Sequence, residues 1–363
     1  MARIEVRNVR IAGIASAVPR QSSTVKDIAA AFGESDARKL AETSGIHTRH
    51  IAKDICSSDL CYKACELLLE SLGWTRDSVD GLLFVSQTPD CLLPATSCIL
   101  HGKLGLSKSC LAFDINLGCS GYVYGLFLAA RLAEKGMNRI LLLVGDTISR
   151  ISSPQDRSVA ALFGDAGTAT ALQYEQGATP ITSSTMWFTL MTDGTGSQHL
   201  TVPAGGFRQP RTSSTSIRIE REGHNLRSDE DLFMNGAEVF SFTLREVAPL
   251  VQSTLEAAGL AQEDVSYFVF HQANRFMLEH LSRKMKIAND RMLYSLADFG
   301  NTSCASIPLT ISHAFGNVGR LSADNVLLAG FGVGLSWGAA VCSFRDTIVP
   351  RIIYLAGKES SVC

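Results

Sequence analysis

Cys119 is the residue whose type and surroundings are best suited to covalent chemistry. An apolar run ends at Gly118, and Ser120-Gly121 begins a long amphipathic helix pattern. Backbone N–H groups at a helix start favour thiolate over thiol and so make the sulfur a better nucleophile. This strand–turn–helix arrangement is typical of a nucleophile elbow, with sulfur in place of a serine oxygen. The alternative is a small buried residue that only fills the core, as most free cysteines do.

Three further segments could contribute to a site around Cys119: two of them carry a polar residue, and the third is rich in glycine. His271 closes the apolar run YFVF, at the carboxyl end of a strand, where α/β sheets place their ligands. Asn301 lies in FGNTSCAS, on a turn before a helix. The run 330–338, GFGVGLSWG, permits close approach of backbone to a ligand, and it lacks the Lys-Ser/Thr of a phosphate-binding loop. A structural histidine and a turn or N-cap asparagine are the alternatives.

Strand and helix patterns alternate between these residues. Because the strands are continuous runs of Val, Ile, Leu and Phe, they predict a parallel-containing sheet that helices cover on both faces. Strands are expected over 10–18, 81–88, 110–116, 139–146, 169–175, 267–272 and 325–332, and helices over 58–73, 120–135, 235–258, 274–286 and 303–315.

The two halves of the chain resemble each other. DINLGCSGYVYGLFLAARL followed by NRILLLVGD has the same order of elements as SLADFGNTSCASIPLTISHAF followed by DNVLLAGFG. A repeat of this length predicts a duplicated βα lobe, with residues 119 and 301 at equivalent turns. We expect one lobe over 1–180 and another over 236–363. The segment 183–231 is rich in Ser, Thr, Gly and charge, so 181–235 is expected to be a cap or loop insertion rather than sheet.

Composition argues against several classes of protein. At 363 residues the chain is long enough for two lobes, and its net charge of −2 does not indicate nucleic acid or an anionic membrane as a partner. No apolar run reaches transmembrane length, and the N-terminus lacks the order of a signal peptide. The ten cysteines contain no CxxC pair, which favours reduced thiols over a metal site or disulfides. We therefore expect a cytoplasmic protein.

Five motifs follow one another along the chain: GCSG at 118–121, FGDAGTA at 163–169, HQAN at 271–274, GNTSCAS at 300–306 and GFGVGLSWG at 330–338. In this order they resemble the motifs of the β-ketoacyl-acyl-carrier-protein synthase III family, within the thiolase-like condensing enzymes. The resemblance covers nearly the whole chain apart from the middle segment. It implies an α/β, thiolase-like fold whose duplicated βα lobes pack as a five-layer α-β-α-β-α sandwich, and it implies a homodimer.

The resemblance also implies a Cys-His-Asn triad. Cys119 would accept the acyl group from a thioester, and His271 and Asn301 would donate hydrogen bonds to the enolate that forms when a malonyl thioester loses CO₂. The backbone N–H groups of Cys119 and Val333 would form the oxyanion hole for the acyl-cysteine. The family uses no metal and no other cofactor; its substrates are acyl-coenzyme A or acyl-carrier protein, and malonyl-carrier protein.

Further substrate contacts follow from the same resemblance. Arg157 matches an arginine that the family uses near the nucleotide, and Phe163, Asn274 and Phe331 would lie at the acyl pocket. Leu93 would enter the pocket of the partner subunit and help to set acyl length. For the two phenylalanines the alternative is plain core packing, and for Leu93 it is interface packing.

Two features bear on the acyl donor. Members of the family that use acyl-coenzyme A stack its adenine on a tryptophan that precedes a Gly-Ile-x-x-Arg-His motif, and 40–52, LAETSGIHTRHIA, has no tryptophan. We therefore expect weakened recognition of coenzyme A, with acyl-carrier protein as the donor. Arg275, Arg283 and Lys284 on the helix after HQAN would dock the acidic carrier protein, unless they form only a solvated helix face.

The leading function is decarboxylative Claisen condensation, an acyltransferase reaction that gives a β-ketoacyl thioester in fatty-acid or related secondary-metabolite or glycan-acyl biosynthesis. The alternative is acyl transfer to an oxygen, nitrogen or sulfur acceptor without formation of a carbon–carbon bond. Relatives that carry out such transfer often alter the His or the Asn, and this chain keeps both His271 and Asn301. The same intact triad argues against a non-catalytic partner subunit.

Overall fold

The computed structural model describes residues 2–176 and 184–357. Its strands are β1 Ala2–Arg7, β2 Val9–Pro19, β3 Ser22–Thr24, β4 Thr48–His50, β5 Gly81–Val85, β6 Leu111–Ile115, β7 Arg139–Asp146, β8 Ala166–Tyr174, β9 Thr185–Thr192, β10 Leu200–Thr201, β11 Ile219–Arg221, β12 Asn225–Arg227, β13 Phe233–Met234, β14 Phe268–Phe270, β15 Gly319–Gly332, β16 Ser336–Val349 and β17 Ile353–Leu355. Its helices are α1 Val25–Phe32, α2 Glu34–Ser44, α3 Ser57–Leu72, α4 Thr96–Leu104, α5 Gly121–Glu134, α6 Gly236–Ala258, α7 Arg275–Met285, α8 Leu296–Phe299 and α9 Ser306–Phe315. The predicted helices agree with α3, α5, α6 and α7, and the last predicted helix comprises a 3₁₀ turn followed by α9.

The strands form two mixed sheets that meet at β2 and β16. In the first, the order is β6-β5-β7-β8-β2, with β5 parallel to β6 and β7, and with antiparallel pairing from β7 onward. In the second, β14 runs parallel to β15, and β15, β16, β9 and β1 follow in antiparallel pairs. A single parallel bridge between Gly13 and Ile348 joins the two sheets.

The order of elements repeats, as the sequence predicts. In the first half it is β2-α3-β5-α4-β6-α5-β7-β8, and in the second it is β9-α6-β14-α7, an extended segment at 291–293, then α9-β15-β16. The segment 291–293 replaces a counterpart of β6: the Phe268 N–H donates to the Arg291 carbonyl at 2.8 Å, and the Leu293 N–H donates to the Phe268 carbonyl at 3.1 Å. Residues 119 and 301 therefore lie on equivalent turns after equivalent edge segments.

Five layers result from how the helices cover these sheets. Helices α5 and α9 lie between the sheets, in one buried cluster with residues of both, such as Tyr122, Ile307, Leu142 and Leu328. Helices α3 and α4 cover the outer face of the first sheet, and α6 and α7 cover the outer face of the second. Because both faces of each sheet are covered, strands such as β5 and β14 are apolar throughout rather than alternating.

The middle segment differs from the prediction. Residues 185–192 are not loop but strand β9, which pairs with β1 and β16 inside the second sheet. The expected insertion over 181–235 therefore contains the first strand of the second repeat, and its first three residues, 181–183, lie outside the described residues. Thr-rich TMWFTLMT lacks the aliphatic run that marks the other strands, and tertiary pairing overrides this weak local signal.

The remainder of that segment forms a cap, residues 200–234. The short strands β10 and β13 pair at its base, and β11 and β12 form a hairpin. Arg227 of the hairpin pairs at 2.7 Å with the fully buried Asp156 of the body. No helix within 2–176 and 184–357 is long and apolar enough to cross a bilayer.

Candidate active site

The three residues of the expected triad line one cavity of about 70 Å³ between the two halves. Cys119 lies on the turn between β6 and α5, His271 follows β14, and Asn301 follows α8. All three are buried, with at most 6 % of each residue exposed. The duplicated topology therefore brings together side chains that are far apart in the sequence.

Burial sets the ionisation of Cys119. It raises the pKa of the thiol to about 11, although the backbone N–H of Val333 donates to the sulfur and lowers the pKa. The buried carboxylate Asp146 raises it further, while the N–H of Cys119 and the Ser303 hydroxyl act in the opposite direction. The helix start was expected to favour the thiolate, but here the removal of the sulfur from water outweighs the donors around it and raises the pKa.

We expect alkylation of Cys119 by iodoacetamide to accelerate about tenfold per pH unit from about pH 7 to 10, because only the thiolate reacts. Peptide-resolved mass spectrometry of samples quenched at fixed times measures this rate apart from the other cysteines. A plateau near pH 8 would contradict the raised pKa and would show that the helix start stabilises the thiolate.

His271 is a neutral imidazole at physiological pH. Burial lowers its pKa to about 3, and the hydrogen bond to the Ser303 carbonyl opposes this only in part. Nδ1 lies 2.8 Å from the Ser306 hydroxyl, and the ring packs edge-on against Phe331 with centroids 5.6 Å apart. A neutral ring in this place can accept a proton from a thiol or donate an N–H without adding charge.

Asn301 is oriented by the turn that follows it. Its Oδ1 accepts a hydrogen bond from the Ser303 N–H at 3.0 Å. Its own backbone N–H donates to the Leu162 carbonyl at 3.0 Å, so the main chain is held as well. With Oδ1 occupied, the NH₂ group is left as the donor for a substrate oxygen in the cavity.

Sequence reasoning missed Ser303 and Asp146, which hold this arrangement together. Ser303 has a φ of 50°, and its hydroxyl donates to Asp146 at 2.7 Å. Asp146 ends β7, is fully buried, and also accepts from the Gln87 N–H at 2.7 Å and the Ser86 hydroxyl at 3.0 Å. Burial raises its pKa, while these donors oppose the rise. Ser303 lies inside the motif GNTSCAS, which was a signal, but its link to Asp146 is a contact between distant parts of the chain.

Gly332 lets the backbone of β15 approach the nucleophile. A Cβ at this position would lie 2.8 Å from Cβ and 2.9 Å from Sγ of Cys119. The next residue is Val333, whose N–H faces the sulfur. Glycine is therefore required here by the close approach of backbone to the reactive atom.

Gly332→Ala is expected to slow acylation of Cys119 by about 10²-fold, since the added methyl group displaces the sulfur from its donors. The rate of acyl-enzyme formation, followed by intact mass, measures the effect. Gly194→Ala, where a Cβ meets no atom within 4 Å, is the control and should load at the wild-type rate. Equal rates for both variants would show that the sulfur tolerates the displacement.

The other expected site residues fall into two groups. Phe163, Asn274 and Phe331 line the cavity, together with Leu162, Leu200, Met234, Gly236, Val239, Thr243, Ala273, Met277 and Gly332. Asn274 also caps α7, since its Oδ1 accepts from the Met277 N–H at 2.8 Å. Leu200 and Met234 come from β10 and β13, so the base of the cap forms part of the wall.

Arg157, Leu93 and the basic residues of α7 do not line this cavity. Arg157 pairs with Asp36 at 3.4 Å and lies over the Phe32 ring at 5.3 Å. Leu93 is 86 % exposed. On α7, Arg275 pairs with Glu279 at 2.7 Å, Lys284 donates to the Leu244 carbonyl, and Arg283 is exposed. Within the described residues, no group of three or more His, Cys, Asp or Glu side chains could hold a metal ion.

Both halves of the chain match models of a known protein family. Residues 113–194 match the family model described as 3-oxoacyl-[acyl-carrier-protein (ACP)] synthase III, and residues 255–344 match the model of its C-terminal part. The beta-ketoacyl-[acyl-carrier-protein] synthase III of Caldanaerobacter subterraneus subsp. tengcongensis is 34% identical over 334 residues, which cover 91% of this chain and 96% of that protein.

The fold of this chain is also similar to the folds of solved structures. A 3-oxoacyl-(acyl-carrier protein) synthase from Burkholderia xenovorans LB400 superimposes with a TM-score of 0.90 at 41% identity, over 98% of this chain and 99% of that chain. The 3-oxoacyl-(acyl carrier protein) synthase III of Pseudomonas aeruginosa PAO1 gives 0.79 at 29% identity, over 94% and 100%. The similarity thus extends over both sheets of the chain.

Proposed function

Because this chain belongs to the 3-oxoacyl-[acyl-carrier-protein] synthase III family, whose members form 3-oxoacyl thioesters by condensation, we propose that Cys119, His271 and Asn301 perform this reaction. The observation that carries the proposal is the convergence of these three buried side chains on one cavity. A nucleophilic sulfur and two uncharged N–H donors are what successive acyl transfer and decarboxylation require.

The first half-reaction transfers the acyl group to Cys119. The sulfur attacks the carbonyl of an acyl thioester, and its proton passes through neutral His271 to the departing thiolate. The N–H groups of Val333 and Cys119, which already face the sulfur, supply the donors for the tetrahedral oxyanion. The products are acyl-Cys119 and a free thiol, so protons balance and the imidazole ends neutral.

The second half-reaction uses His271 and Asn301 as donors. A malonyl thioester loses CO₂, and its thioester oxygen becomes an enolate that accepts from the imidazole N–H and the Asn301 NH₂. The carbanion attacks the acyl carbonyl on Cys119 and releases the β-ketoacyl thioester. The sulfur leaves as thiolate and takes up one proton from solvent.

For the acyl donor we favour acyl-carrier protein over acyl-coenzyme A. Asp36 and the Phe32 ring already occupy the Arg157 guanidinium, so a nucleotide phosphate would have to compete with an internal carboxylate. On α7, the exposed cations Arg283 and Lys284 offer positive charge to an acidic carrier protein.

A homodimer is also part of the proposal. Strand β6 pairs only with β5 in the described residues and leaves its other edge open, and exposed edges of this kind template pairing with a second chain. Leu92 and Leu93 are 79 % and 86 % exposed, and Leu111 at the start of β6 is 37 % exposed. Burial of these apolar side chains against a second copy would place Leu93 in the interface between the two copies.

The test separates loading from condensation. The protein is incubated with labelled acyl-carrier protein or acyl-coenzyme A, acylation of Cys119 is followed by intact mass, and malonyl-carrier protein is then added. We expect faster loading from the carrier donor, followed by release of CO₂ and formation of a β-ketoacyl product. Failure to load from either donor would contradict the role of Cys119, whereas loading without CO₂ release would favour acyl transfer to a heteroatom.

A further inference from the structure

A pair of buried serines links the turn that carries Cys119 to the turn that carries Val333. Ser120 follows the nucleophile, Ser336 begins β16, and their hydroxyl oxygens lie 2.6 Å apart across 216 residues of chain. Ser120 is 0 % exposed and Ser336 is 2 % exposed, so water does not compete for these hydroxyl groups. The pair therefore joins the segment that holds the nucleophile to the segment that holds an oxyanion donor of the proposed reaction.

A second contact of Ser336 fixes the direction of both hydrogen bonds. Ser336 Oγ lies 2.9 Å from the Val333 carbonyl, and a carbonyl can only accept, so the Ser336 hydroxyl is the donor. Because a serine hydroxyl has a single proton, Ser336 Oγ must accept from the Ser120 hydroxyl. The two hydrogen bonds thus run in one direction, from Ser120 to Ser336 and from Ser336 to the Val333 carbonyl.

The backbone at Val333 needs a restraint because glycine flanks it on both sides. Gly332 and Gly334 lack a Cβ and therefore permit more backbone conformations than other residues. The Ser336 hydroxyl holds the Val333 carbonyl and so limits rotation of the backbone between this carbonyl and the Val333 N–H. That N–H faces the Cys119 sulfur. A donor lowers the barrier to an oxyanion only when it is held in place before the reaction, which is what this hydrogen bond provides.

The backbones of the two turns are in contact beside the serine pair. A Cβ at Gly330 would lie 2.9 Å from the Cys119 carbonyl oxygen and 2.9 Å from Ser120 Cα. A Cβ at Gly332 would come equally close to the Cys119 sulfur. Because the backbones approach each other this closely, a small displacement of one turn changes the position of the Val333 N–H relative to the sulfur.

We propose that Ser120 and Ser336 are positioning residues for acyl transfer, whose linked hydroxyls keep the Val333 N–H aimed at the oxyanion that forms when Cys119 is loaded. This inference rests on the proposed function. Neither serine bonds to the acyl group, and neither gains or loses a proton during the reaction. Their effect on the rate passes through the position of the Val333 N–H alone.

The two half-reactions should respond differently to loss of the pair. The oxyanion of loading accepts from the Val333 N–H, whereas the enolate of decarboxylation accepts from His271 and Asn301. Those two side chains are held by Ser303 and Ser306 instead. Loss of the serine pair should therefore slow loading and leave decarboxylation by the unloaded enzyme unchanged.

The experiment compares Ser336→Ala with wild type in both half-reactions, with acetyl-carrier protein as the acyl donor. Outright loss of an oxyanion donor costs about 10²–10³-fold, and this variant keeps the N–H but frees it to move, so we expect loading to slow by about tenfold. Release of CO₂ from malonyl-carrier protein by the unloaded enzyme should stay within about twofold of wild type. Intact mass measures loading, and labelled CO₂ measures decarboxylation.

The carbonyl of the acyl-enzyme reports on the donor directly. Infrared difference spectra of Cys119 loaded with a carbon-13 acetyl group show how strongly the thioester carbonyl is hydrogen-bonded. We expect the carbonyl band of Ser336→Ala to lie at higher wavenumber than that of wild type, because a weaker hydrogen bond leaves more double-bond character. A change in folding stability alone would not move this band.

Two variants test whether the serines act as one unit. Ser336→Thr keeps the hydroxyl and should recover most of the loading rate. Ser120→Ala leaves Ser336 bonded to Val333 and should slow loading less than Ser336→Ala does. The double variant should load no more slowly than Ser336→Ala, since two groups that act through one contact give non-additive losses.

The matched control is a second pair of buried serines. Ser312 Oγ lies 2.8 Å from Ser16 Oγ, and neither residue lines the cavity. Ser312→Ala removes one hydroxyl of that pair and should load acetyl groups at the wild-type rate.

Wild-type loading by Ser336→Ala, an unmoved carbonyl band, an equal fall in both half-reactions, or additive losses in the double variant would overturn the inference. A wild-type protein that fails to load would instead contradict the acylation of Cys119 on which the inference rests.

Discussion

Cys119→Ala should abolish acyl-enzyme formation and lower turnover by at least about 10⁴-fold, since removal of a nucleophile eliminates the covalent route. The same variant should still release CO₂ from malonyl-carrier protein, because the donors His271 and Asn301 are held by Ser303 and Ser306 rather than by the sulfur. Intact mass after incubation with acyl donor measures loading, and labelled CO₂ measures decarboxylation.

The matched control is Cys342→Ala. Cys342 is a buried free thiol on β16, 1 % exposed, and it does not line the cavity. This variant should load at the wild-type rate. Acylation of the Cys119→Ala protein at another cysteine would show that the nucleophile has been assigned to the wrong residue.

Asn301→Ala is expected to separate the half-reactions in the opposite way. Loss of one donor to a developing oxyanion typically lowers a rate by about 10²–10³-fold, so CO₂ release should fall by this factor. Loading of Cys119 should be nearly unchanged, because the donors for that oxyanion are the N–H groups of Val333 and Cys119. Burst acylation followed by single-turnover CO₂ release gives the two rates.

Asn301→Asp distinguishes the donor role from a structural one. A carboxylate can still accept from the Ser303 N–H, so the turn should be retained, but it offers no NH₂ to the enolate. We expect the Asn301→Asp variant to release CO₂ at least as slowly as the Asn301→Ala variant, and its melting temperature to be closer to that of the wild-type protein. Faster CO₂ release by Asn301→Asp than by Asn301→Ala would mean that the conformation of the turn, and not the NH₂ donor, limits the reaction.

The protonation state of Cys119 was predicted less well than the set of residues that line the cavity. The glycine-flanked turn at Cys119 suggested a thiolate stabilised by the helix start, whereas burial keeps the thiol protonated. Desolvation depends on what surrounds the sulfur: Gly332 of β15 approaches it closely, and Phe331 and Asn301 line the same cavity. None of these is near residue 119 in the sequence, so no local pattern contains the information.

The middle segment shows the same difference between what a local pattern predicts and what tertiary packing produces. Its polar composition predicted a surface loop or cap over 183–231; most of 203–223 is exposed, whereas Asp231 is buried and pairs with Arg218 at 3.0 Å. It concealed β9, because Thr185–Thr192 takes its strand conformation from pairing with β1 and β16. Strand propensity is decided by neighbours across the sheet more than by the segment itself.

The sequence alone allowed us to predict the alternation of strands and helices, the internal repeat and the placement of Cys119, His271 and Asn301 on turns. These follow from local periodicity, from glycine at turns and from short motifs, which are properties of neighbouring residues. The protonation of Cys119 and the hydrogen bonds that join Ser303 to Asp146 and Ser306 to His271 depend instead on the packed structure. Those hydrogen bonds span 157 and 35 residues of chain, and burial and long-range pairing exist only once the two halves have packed together.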